Sequence, residues 1–218
     1  MSNGTRARSP PCSITFATRW ARIILILTHM ARAVNMFEAL FESNALDEVV
    51  PGRLYIGSED ARAHVHLAEH GITHVVCLQT QRERNVYPER LKTLPPHVQE
   101  RVLDFFEDSP GTLLTSYVPL VMEAIDAALA EGPDKRVLVH CAAGISRSAA
   151  MVIAWLMWTI PGLTAEQAYN QLKAKRRCIG PNAGFCKQLR EDVPLLLYEM
   201  RMEAAEAPTT MHAIHVAQ

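Results

Sequence analysis

The segment RVLVHCAAGISRS, residues 136–148, places a cysteine and an arginine on either side of a loop of small residues. Its β-branched start predicts a strand that leads into Cys141, and the long apolar run after Arg147 predicts a helix. A strand, a short loop and a helix N-terminus in this order aim backbone N–H groups at one point, which is typical of an anion site. A thiol held there is a nucleophile placed to attack a phosphate, and the positive surroundings favour its thiolate form.

The loop residues suit the three equatorial oxygens of a phosphoryl group. Gly144 can adopt a positive φ, and its small neighbours let successive amides surround the oxygens. The planar guanidinium of Arg147 matches two of these oxygens, which a lysine would not do. The Ser148 hydroxyl can donate to the Cys141 sulfur and help it leave when water attacks. A cysteine after a buried strand is otherwise a small apolar core residue, but its neighbours argue against that role here. The predicted binding loop consists of Ala142, Ala143, Gly144, Ile145 and Ser146.

Phosphoryl transfer from a monoester also needs a proton for the leaving oxygen, so an acid must lie elsewhere in the chain. The turn EDSPG, residues 107–111, follows a predicted strand and carries two carboxylic acids. We predict Asp108 as the general acid, with Glu107 and Asp104 as the alternatives. An aspartate that merely caps the turn is the structural alternative for Asp108.

The segment HCAAGISRS resembles the phosphate-binding loop of the cysteine-dependent protein phosphatases, Cys-x5-Arg, and its ending resembles that of the dual-specificity group. The resemblance covers roughly residues 45–200 and implies the α/β fold of the protein tyrosine phosphatases. It also implies hydrolysis of phosphotyrosine and of phosphoserine or phosphothreonine through a phosphocysteine, with an upstream aspartate as the acid, which matches Asp108. Three further segments are similar to the family's pattern: RLYIGS at 53–58, GITHVV at 71–76 and RRCIGPN at 176–182.

Three further residues border the loop, and each has a structural alternative. His140 can orient the loop through a hydrogen bond to its backbone, or it can be an ordinary buried histidine. Asn182 is similar to the family's loop-supporting asparagine, yet asparagine is also a common helix N-cap. Arg177 can support the loop from behind or be a solvated surface residue.

Strand and helix patterns alternate along the chain, which predicts an α/β domain. The resemblance implies a central mixed sheet of about five strands flanked by helices. A charged, proline-containing stretch at 81–96 predicts a surface loop. The predicted strands are 54–56, 72–78, 102–106 and 137–139. The predicted helices are 59–70 with a Ser58 cap, 120–131, Arg147 to Pro161, 164–176 with a capping box of Thr164 and Gln167, and 183–203 with an interruption near Pro194.

The chain divides into a leader at 1–44, a catalytic domain at 45–204 and a tail at 205–218 that we expect to be disordered. A domain of this length is an ordinary size for a single enzyme domain. An apolar run at 23–27 is far too short to span a bilayer, so no transmembrane segment is predicted.

The leader has a composition of its own. Residues 1–37 contain five arginines and no acidic residue, and a set of their apolar side chains shares one helical face. This pattern is typical of a mitochondrial transit peptide. A disordered extension, or upstream codons before a true start at Met30 or Met36, are the alternatives.

Composition favours an intracellular protein without a metal or other cofactor. The five cysteines show no paired spacing, which favours a reducing compartment over a disulfide scaffold. The nine histidines form no recognisable ligand pattern, since His64 and His66 would point apart on a helix. A net charge of −1 gives no reason to invoke nucleic acid as a partner. We expect a cytoplasmic location, with mitochondria as the alternative that the leader would require.

The predicted partner is a phosphorylated protein, and three other functions stay open. Phosphatases of lipids or RNA use the same chemistry, but their loops usually carry polar residues where this chain has Ala142, Ala143 and Ile145. A phospho-binding module with little turnover is expected to lack the nucleophile or the arginine, and both are present. A sulfur-transfer enzyme also uses a loop cysteine, although nothing else in the chain supports it.

Overall fold

The computed structural model describes residues 44–86, 93–103 and 107–206. A five-stranded sheet in the order β1-β2-β5-β3-β4 forms the centre of the domain. β1 pairs antiparallel with β2, whereas the other three pairings are parallel, so the sheet is mixed as predicted. The strands are β1 (Leu46–Val50), β2 (Leu54–Gly57), β3 (His74–Cys77), β4 (Gln99–Val102) and β5 (Val137–His140).

Helices flank the sheet, which confirms the predicted fold class. Within the described ranges, no helix is both long enough and apolar enough to cross a membrane. The helices are α1 (His64–Glu69), α2 (Gln81–Val86), α3 (Val118–Ala130), α4 (Arg147–Thr159), α5 (Ala165–Lys175), α6 (Ala183–Glu191) and α7 (Val193–Glu206), and single 3-10 turns at Glu59–Arg62 and Leu114–Ser116 precede α1 and α3.

The middle strand β5 is covered on both faces. Val137 and Val139 belong to the larger apolar core, to which α3 to α7 contribute, while Leu138 belongs to a smaller core with α1. A strand covered on both sides reads as a continuous apolar run, which is why residues 137–139 predicted it correctly. α4 is buried along nearly its whole length, as its apolar residues on all sides predicted.

The parallel strands β2, β5 and β3 end at the same edge of the sheet. The chain leaves β5 at this edge and passes directly into Cys141. In open α/β sheets the crevice outside the carboxyl ends of the strands is where ligands bind. The topology therefore places the candidate loop at the binding edge.

The predicted helix at 59–70 is wrong as a continuous element. Ala63 has an extended backbone with φ −60° and ψ 136°, which separates the 3-10 turn from α1. Ser58 makes no side-chain cap hydrogen bond, so its predicted role is also wrong. Because the helix is interrupted at Ala63, Ala61 and Leu67 both pack in the smaller core.

The predicted loop at 81–96 is wrong at its start, where α2 forms. The Thr80 amide and hydroxyl donate to the Glu83 carboxylate at 2.8 and 3.0 Å, and the Glu83 amide donates to the Thr80 hydroxyl at 3.1 Å. This reciprocal pattern is a capping box, which stabilises a short helix without any apolar periodicity.

Other boundaries differ less. The third strand, predicted at 102–106, is wrong in its bounds, because β4 spans Gln99–Val102 and overlaps the prediction only at Val102. Leu103 is not part of a strand, and residues 104–106 lie outside the described part of the chain. The capping box of Thr164 and Gln167 is confirmed, and so is the interruption near Pro194, since α6 and α7 are separate helices. Residues 1–43 of the leader and 207–218 of the tail lie outside the described residues.

Candidate active site

The loop after β5 forms a bowl because donors outside the loop bind its carbonyl groups. The Ala142 carbonyl accepts from the Glu59 amide at 3.0 Å, and the Ile145 carbonyl accepts from the Gly180 amide at 2.9 Å. The Gly144 carbonyl accepts from Nε of Arg176 at 2.9 Å. In a planar trans peptide the next N–H points away from the carbonyl. The amides that follow these carbonyls, those of Ala143, Ile145 and Ser146, therefore point toward the inside of the loop.

Gly144 is required at its position for two reasons. Its φ is +67°, a left-handed conformation that favours glycine. A Cβ added there would also lie 2.5 Å from the Gly57 carbonyl oxygen and 2.7 Å from Nη2 of Arg176. The loop packs so closely against Gly57 and Arg176 that no residue with a side chain fits at position 144.

Cys141 and Ser148 form the floor of the loop. The Cys141 side chain is buried, with 2% exposure, and its Sγ lies 3.3 Å from Oγ of Ser148. Ser148 is fully buried in the first turn of α4. The structure thus brings the predicted nucleophile and the predicted hydroxyl donor into contact.

Arg147 is buried, with 3% exposure, and an acidic residue that the sequence analysis missed fixes its position. Nη1 and Nη2 of Arg147 donate to Oε2 and Oε1 of Glu83 at 2.6 and 2.5 Å. Nη1 also donates to the Leu78 carbonyl at 3.0 Å. Two parallel N–H···O bonds of this kind fix the plane of a guanidinium as well as its position.

Glu83 and Arg147 each stabilise the ionised form of the other. Burial disfavours the ionised Glu83 carboxylate, but hydrogen bonds from Arg147 and Thr80 outweigh burial and hold the pKa of Glu83 below its usual value. Burial likewise opposes the charge on Arg147, yet the Glu83 hydrogen bond and the nearby anionic groups raise the pKa of Arg147. Both groups are therefore ionised at neutral pH.

Asp108 is exposed and fixed by two donors. Its Oδ1 accepts from Oγ of Ser146 at 2.7 Å and from Nδ2 of Asn182 at 2.7 Å. The Asn182 side-chain oxygen accepts from the Phe185 amide at 3.0 Å and caps α6. The predicted helix cap is therefore present, while the Asn182 side chain contacts the acidic turn. Its contact to the phosphate-binding loop is made by its backbone amide, which donates to Oγ of Ser146 at 3.1 Å.

The predicted acid, Asp108, and the predicted arginine, Arg147, both line an open pocket of about 370 Å³. Glu107 also lies there and is exposed, whereas Asp104 falls outside the described residues. Cys141 and Ser148, both buried, do not contribute to the described lining. The described lining residues are Thr80, Arg82, Glu83, Glu107, Asp108, Ser109 and Arg147.

His140 is fully buried directly before the nucleophile. Its Nδ1 lies 3.3 Å from the Cys141 carbonyl oxygen, in the position predicted for a loop-orienting histidine. Burial, with a smaller contribution from the charge of Arg62, lowers the pKa of His140 to about 3. The imidazole is therefore neutral at physiological pH and contributes no charge to the site.

Arg176 supports the loop, rather than the Arg177 that the sequence analysis considered. Besides the Gly144 carbonyl, it contacts Oδ2 of Asp47 at 2.6 Å and the Asn44 carbonyl at 2.9 Å. Its exposure is 1%, whereas Arg177 is exposed. Both arginines lie in the segment that resembled the family, and the sequence could not show which of two neighbours points inward.

The arrangement can carry out nucleophilic displacement at phosphorus. It provides a sulfur nucleophile at the base of an amide-lined loop, a fixed guanidinium beside it and a positioned carboxylic acid at the pocket. Each component has a defined part in phosphoryl transfer: attack, charge stabilisation and protonation of the leaving group.

Comparison with known proteins agrees with this chemistry. Residues 54–192 match the family described as "Dual specificity phosphatase, catalytic domain". The chain is 36% identical over 161 residues to the serine/threonine/tyrosine-interacting protein of Mus musculus, covering 72% of this chain and 69% of that protein. It is 32% identical over 149 residues to dual specificity protein phosphatase 22 of Homo sapiens, covering 68% of this chain and 73% of that protein.

The fold has a solved counterpart as well. The crystal structure of the human tyrosine phosphatase-like serine/threonine/tyrosine-interacting protein is similar, with a TM-score of 0.59 and 34% sequence identity. The similarity covers 72% of this chain and 97% of that one. The match extends over nearly all of that chain, so the architecture is shared as a whole.

Proposed function

The chain belongs to the dual-specificity phosphatase family through its catalytic domain, and from this premise we propose that it hydrolyses phosphate esters on proteins. The proposed substrates are phosphotyrosine and phosphoserine or phosphothreonine. The reaction proceeds through a phosphocysteine intermediate and uses side chains of the protein alone.

The first step forms a sulfur–phosphorus bond. The Cys141 thiolate attacks phosphorus in line with the leaving oxygen, while Arg147 and the loop amides hold the other phosphoryl oxygens. The phosphorus–oxygen bond to the substrate breaks, and Asp108 gives its proton to the departing hydroxyl. The second step reverses the role of Asp108, which takes a proton from water as that water attacks the phosphocysteine. The sulfur–phosphorus bond breaks, and inorganic phosphate leaves.

The observation that carries the proposal is the short distance between Cys141 and Ser148, 3.3 Å, under a loop with an amide-lined interior. A hydroxyl that donates to the sulfur makes it a better leaving group in the second step. A protein that only bound phosphate would have no use for such a donor, since the amides and Arg147 suffice for binding.

The loop composition supports a protein substrate. Ala142, Ala143 and Ile145 contribute no charge, so Arg147 is the cationic side chain of the loop itself. A highly phosphorylated lipid headgroup or an RNA end would carry several negative charges, for which additional cations are expected. The described pocket offers Arg82 in addition to Arg147, a modest positive charge that suits a single phosphate on a peptide.

A phospho-binding role with little turnover is the second candidate. It is suggested by the name of a similar protein, the human tyrosine phosphatase-like serine/threonine/tyrosine-interacting protein. That name describes the relative, whereas the present chain carries both the cysteine and the arginine of the Cys-x5-Arg pattern.

Turnover by the purified full chain separates the two candidates. We expect release of p-nitrophenol from p-nitrophenyl phosphate and of phosphate from phosphotyrosine and phosphothreonine peptides. C141S should abolish both while peptide binding stays measurable, and C186S, at a cysteine outside the loop, should leave both unchanged. Peptide binding without turnover by the unmodified chain would favour the binding role, and turnover by C141S would contradict the proposed nucleophile.

A further inference from the structure

A second cluster of reactive side chains lies on the side of the sheet that faces the smaller core. Cys77 on β3 pairs with His140 on β5, and Val75 pairs with Glu100 on β4. Side chains two residues apart share a face of a strand, so Cys77 lies on the same face as Val75 and Glu100. Three neighbouring parallel strands thus bring a thiol, an imidazole and a carboxylate together.

The potential ligand atoms of this cluster are close to one another. Sγ of Cys77, a ring nitrogen of His140 and a carboxylate oxygen of Glu100 all lie within 4.8 Å of each other. Cys77 and His140 are fully buried, while the Glu100 side chain is 25% exposed. The cluster is therefore closed on the inside and reachable from the solvent through Glu100.

One nitrogen of His140 has no use in the loop. Nδ1 faces the Cys141 carbonyl, whereas Nε2 is buried and has no hydrogen-bond partner among the described residues. Buried polar atoms are nearly always paired, so an unpaired one calls for an explanation. An Nδ1–H that donates to a backbone carbonyl leaves the lone pair on Nε2, and metal-bound histidines commonly show this arrangement.

We propose that Cys77, Glu100 and His140 form a binding site for a zinc-type divalent cation. A thiolate, an imidazole and a carboxylate are all donors that Zn²⁺ accepts, and three protein ligands leave a fourth position for water. On binding, the Cys77 thiol loses its proton to solvent and a metal–sulfur bond forms without any change in oxidation state.

The charge balance indicates a moderate affinity. The thiolate and the Glu100 carboxylate together offset the two charges of the ion. Arg62 donates to Oε1 of Glu100 at 2.8 Å and holds this carboxylate from outside the ligand set. Its positive charge opposes the ion, so the site should bind more weakly than a structural zinc site with four ligands.

A metal ion bound at this site would be connected to the phosphate-binding loop through His140. His140 directly precedes the nucleophile, and an ion would link it to β3 and β4. Residues 77, 100 and 140 are far apart in the chain, so no sequence motif predicts this site, and the sheet register brings them together.

Cobalt offers a direct test because a cobalt–thiolate bond absorbs in the near ultraviolet. The measurement uses the full chain with C141S, which removes the catalytic thiol as a competing ligand. We expect a saturable band at one Co²⁺ per chain that Zn²⁺ displaces. On the same background C77V should abolish the band, and E100Q should weaken Co²⁺ binding about tenfold or more.

The matched control is C186S, which removes a cysteine on α6 and should leave the band intact. Valine suits a buried strand position, and E100Q changes a partly exposed side chain, so at least one of the two variants should keep the fold. Absence of a one-to-one band, or a band that persists in both folded variants, would overturn the site. No turnover is measured, so failure here leaves the proposed phosphatase activity unaffected.

Discussion

The Glu83 carboxylate holds both terminal nitrogens of Arg147, at 2.6 and 2.5 Å. The two residues are separated by 64 positions in the chain, and one belongs to a short polar helix while the other starts the central buried helix. The pair fixes the orientation of the one guanidinium that the proposed chemistry requires.

Removal of Glu83 should weaken catalysis by releasing Arg147. For E83A we expect kcat/KM for p-nitrophenyl phosphate to fall about tenfold or more, which corresponds to about 1.4 kcal/mol of lost transition-state stabilisation per factor of ten. E69A, at an exposed glutamate of α1, serves as the control and should have no effect. Equal kcat/KM in E83A and the unmodified chain would show that Arg147 does not depend on this partner.

The same pair should make stability depend on pH. The pKa of Glu83 is lower in the folded state than in the unfolded chain, so the pair stabilises the fold above the unfolded value of about 4.3. This contribution is lost as the pH falls through the folded pKa. Urea unfolding at pH 7 should show E83Q to be about 1–3 kcal/mol less stable than the unmodified chain, and the difference should shrink as the pH is lowered below the unfolded value.

Asp108 should control the basic limb of the pH–rate profile. A general acid must be protonated to act, so activity should fall on the basic side of the profile. D108N should lower kcat by about 10²–10⁴ and remove this limb, while E107Q, the neighbouring acid, should keep it. A D108N profile with the basic limb intact would transfer the role to Glu107 or Asp104.

Ser148 should matter most in the second chemical step. Without its hydroxyl, the phosphocysteine sulfur leaves more slowly, so the intermediate accumulates. Rapid mixing of S148A with p-nitrophenyl phosphate should show a burst of p-nitrophenol followed by a slow steady rate. S116A changes an exposed serine and should behave like the unmodified chain. A uniform slowing of S148A with no burst would place the effect in the first step instead.

Two adjacent arginines provide a matched comparison for the support of the loop. R176M leaves the Asp47 carboxylate and the Gly144 carbonyl without their donor, so we expect a loss of about 3–5 kcal/mol in unfolding free energy. R177M changes an exposed side chain and should cost less than about 1 kcal/mol. Guanidinium unfolding of both variants gives the comparison, and similar losses would contradict the assignment of Arg176.

The sequence could predict the features that depend on neighbouring residues. Cys141, Gly144 and Arg147 lie within the short segment 141–147, so their spacing alone was enough to predict the loop. The acidic turn at 107–111 could be found because phosphoryl transfer requires an acid and this turn follows a predicted strand, whereas the choice of Asp108 over Glu107 came from the resemblance to the family. The apolar run at 137–139 predicted β5 because a strand that is buried on both faces consists almost entirely of apolar residues.

The sequence did not predict the features that depend on contacts between residues far apart in the chain. Glu83 lies in a six-residue helix held by a capping box, which leaves no apolar period to recognise. The choice between Arg176 and Arg177 depends on the backbone direction after α5. The proximity of Cys77, Glu100 and His140 depends on strand order, and no local pattern encodes it.

The outward hydrogen bonds of the Ala142, Gly144 and Ile145 carbonyls have a consequence for the thermodynamics of binding. Three donors from two separate parts of the chain, Glu59 and the segment that contains Arg176 and Gly180, hold the loop in its curved form. A phosphate then meets a loop that is already ordered, so little conformational entropy is lost on binding. Affinity for inorganic phosphate analogues should therefore vary little among variants on the rim of the pocket and change sharply when one of these outer donors is lost.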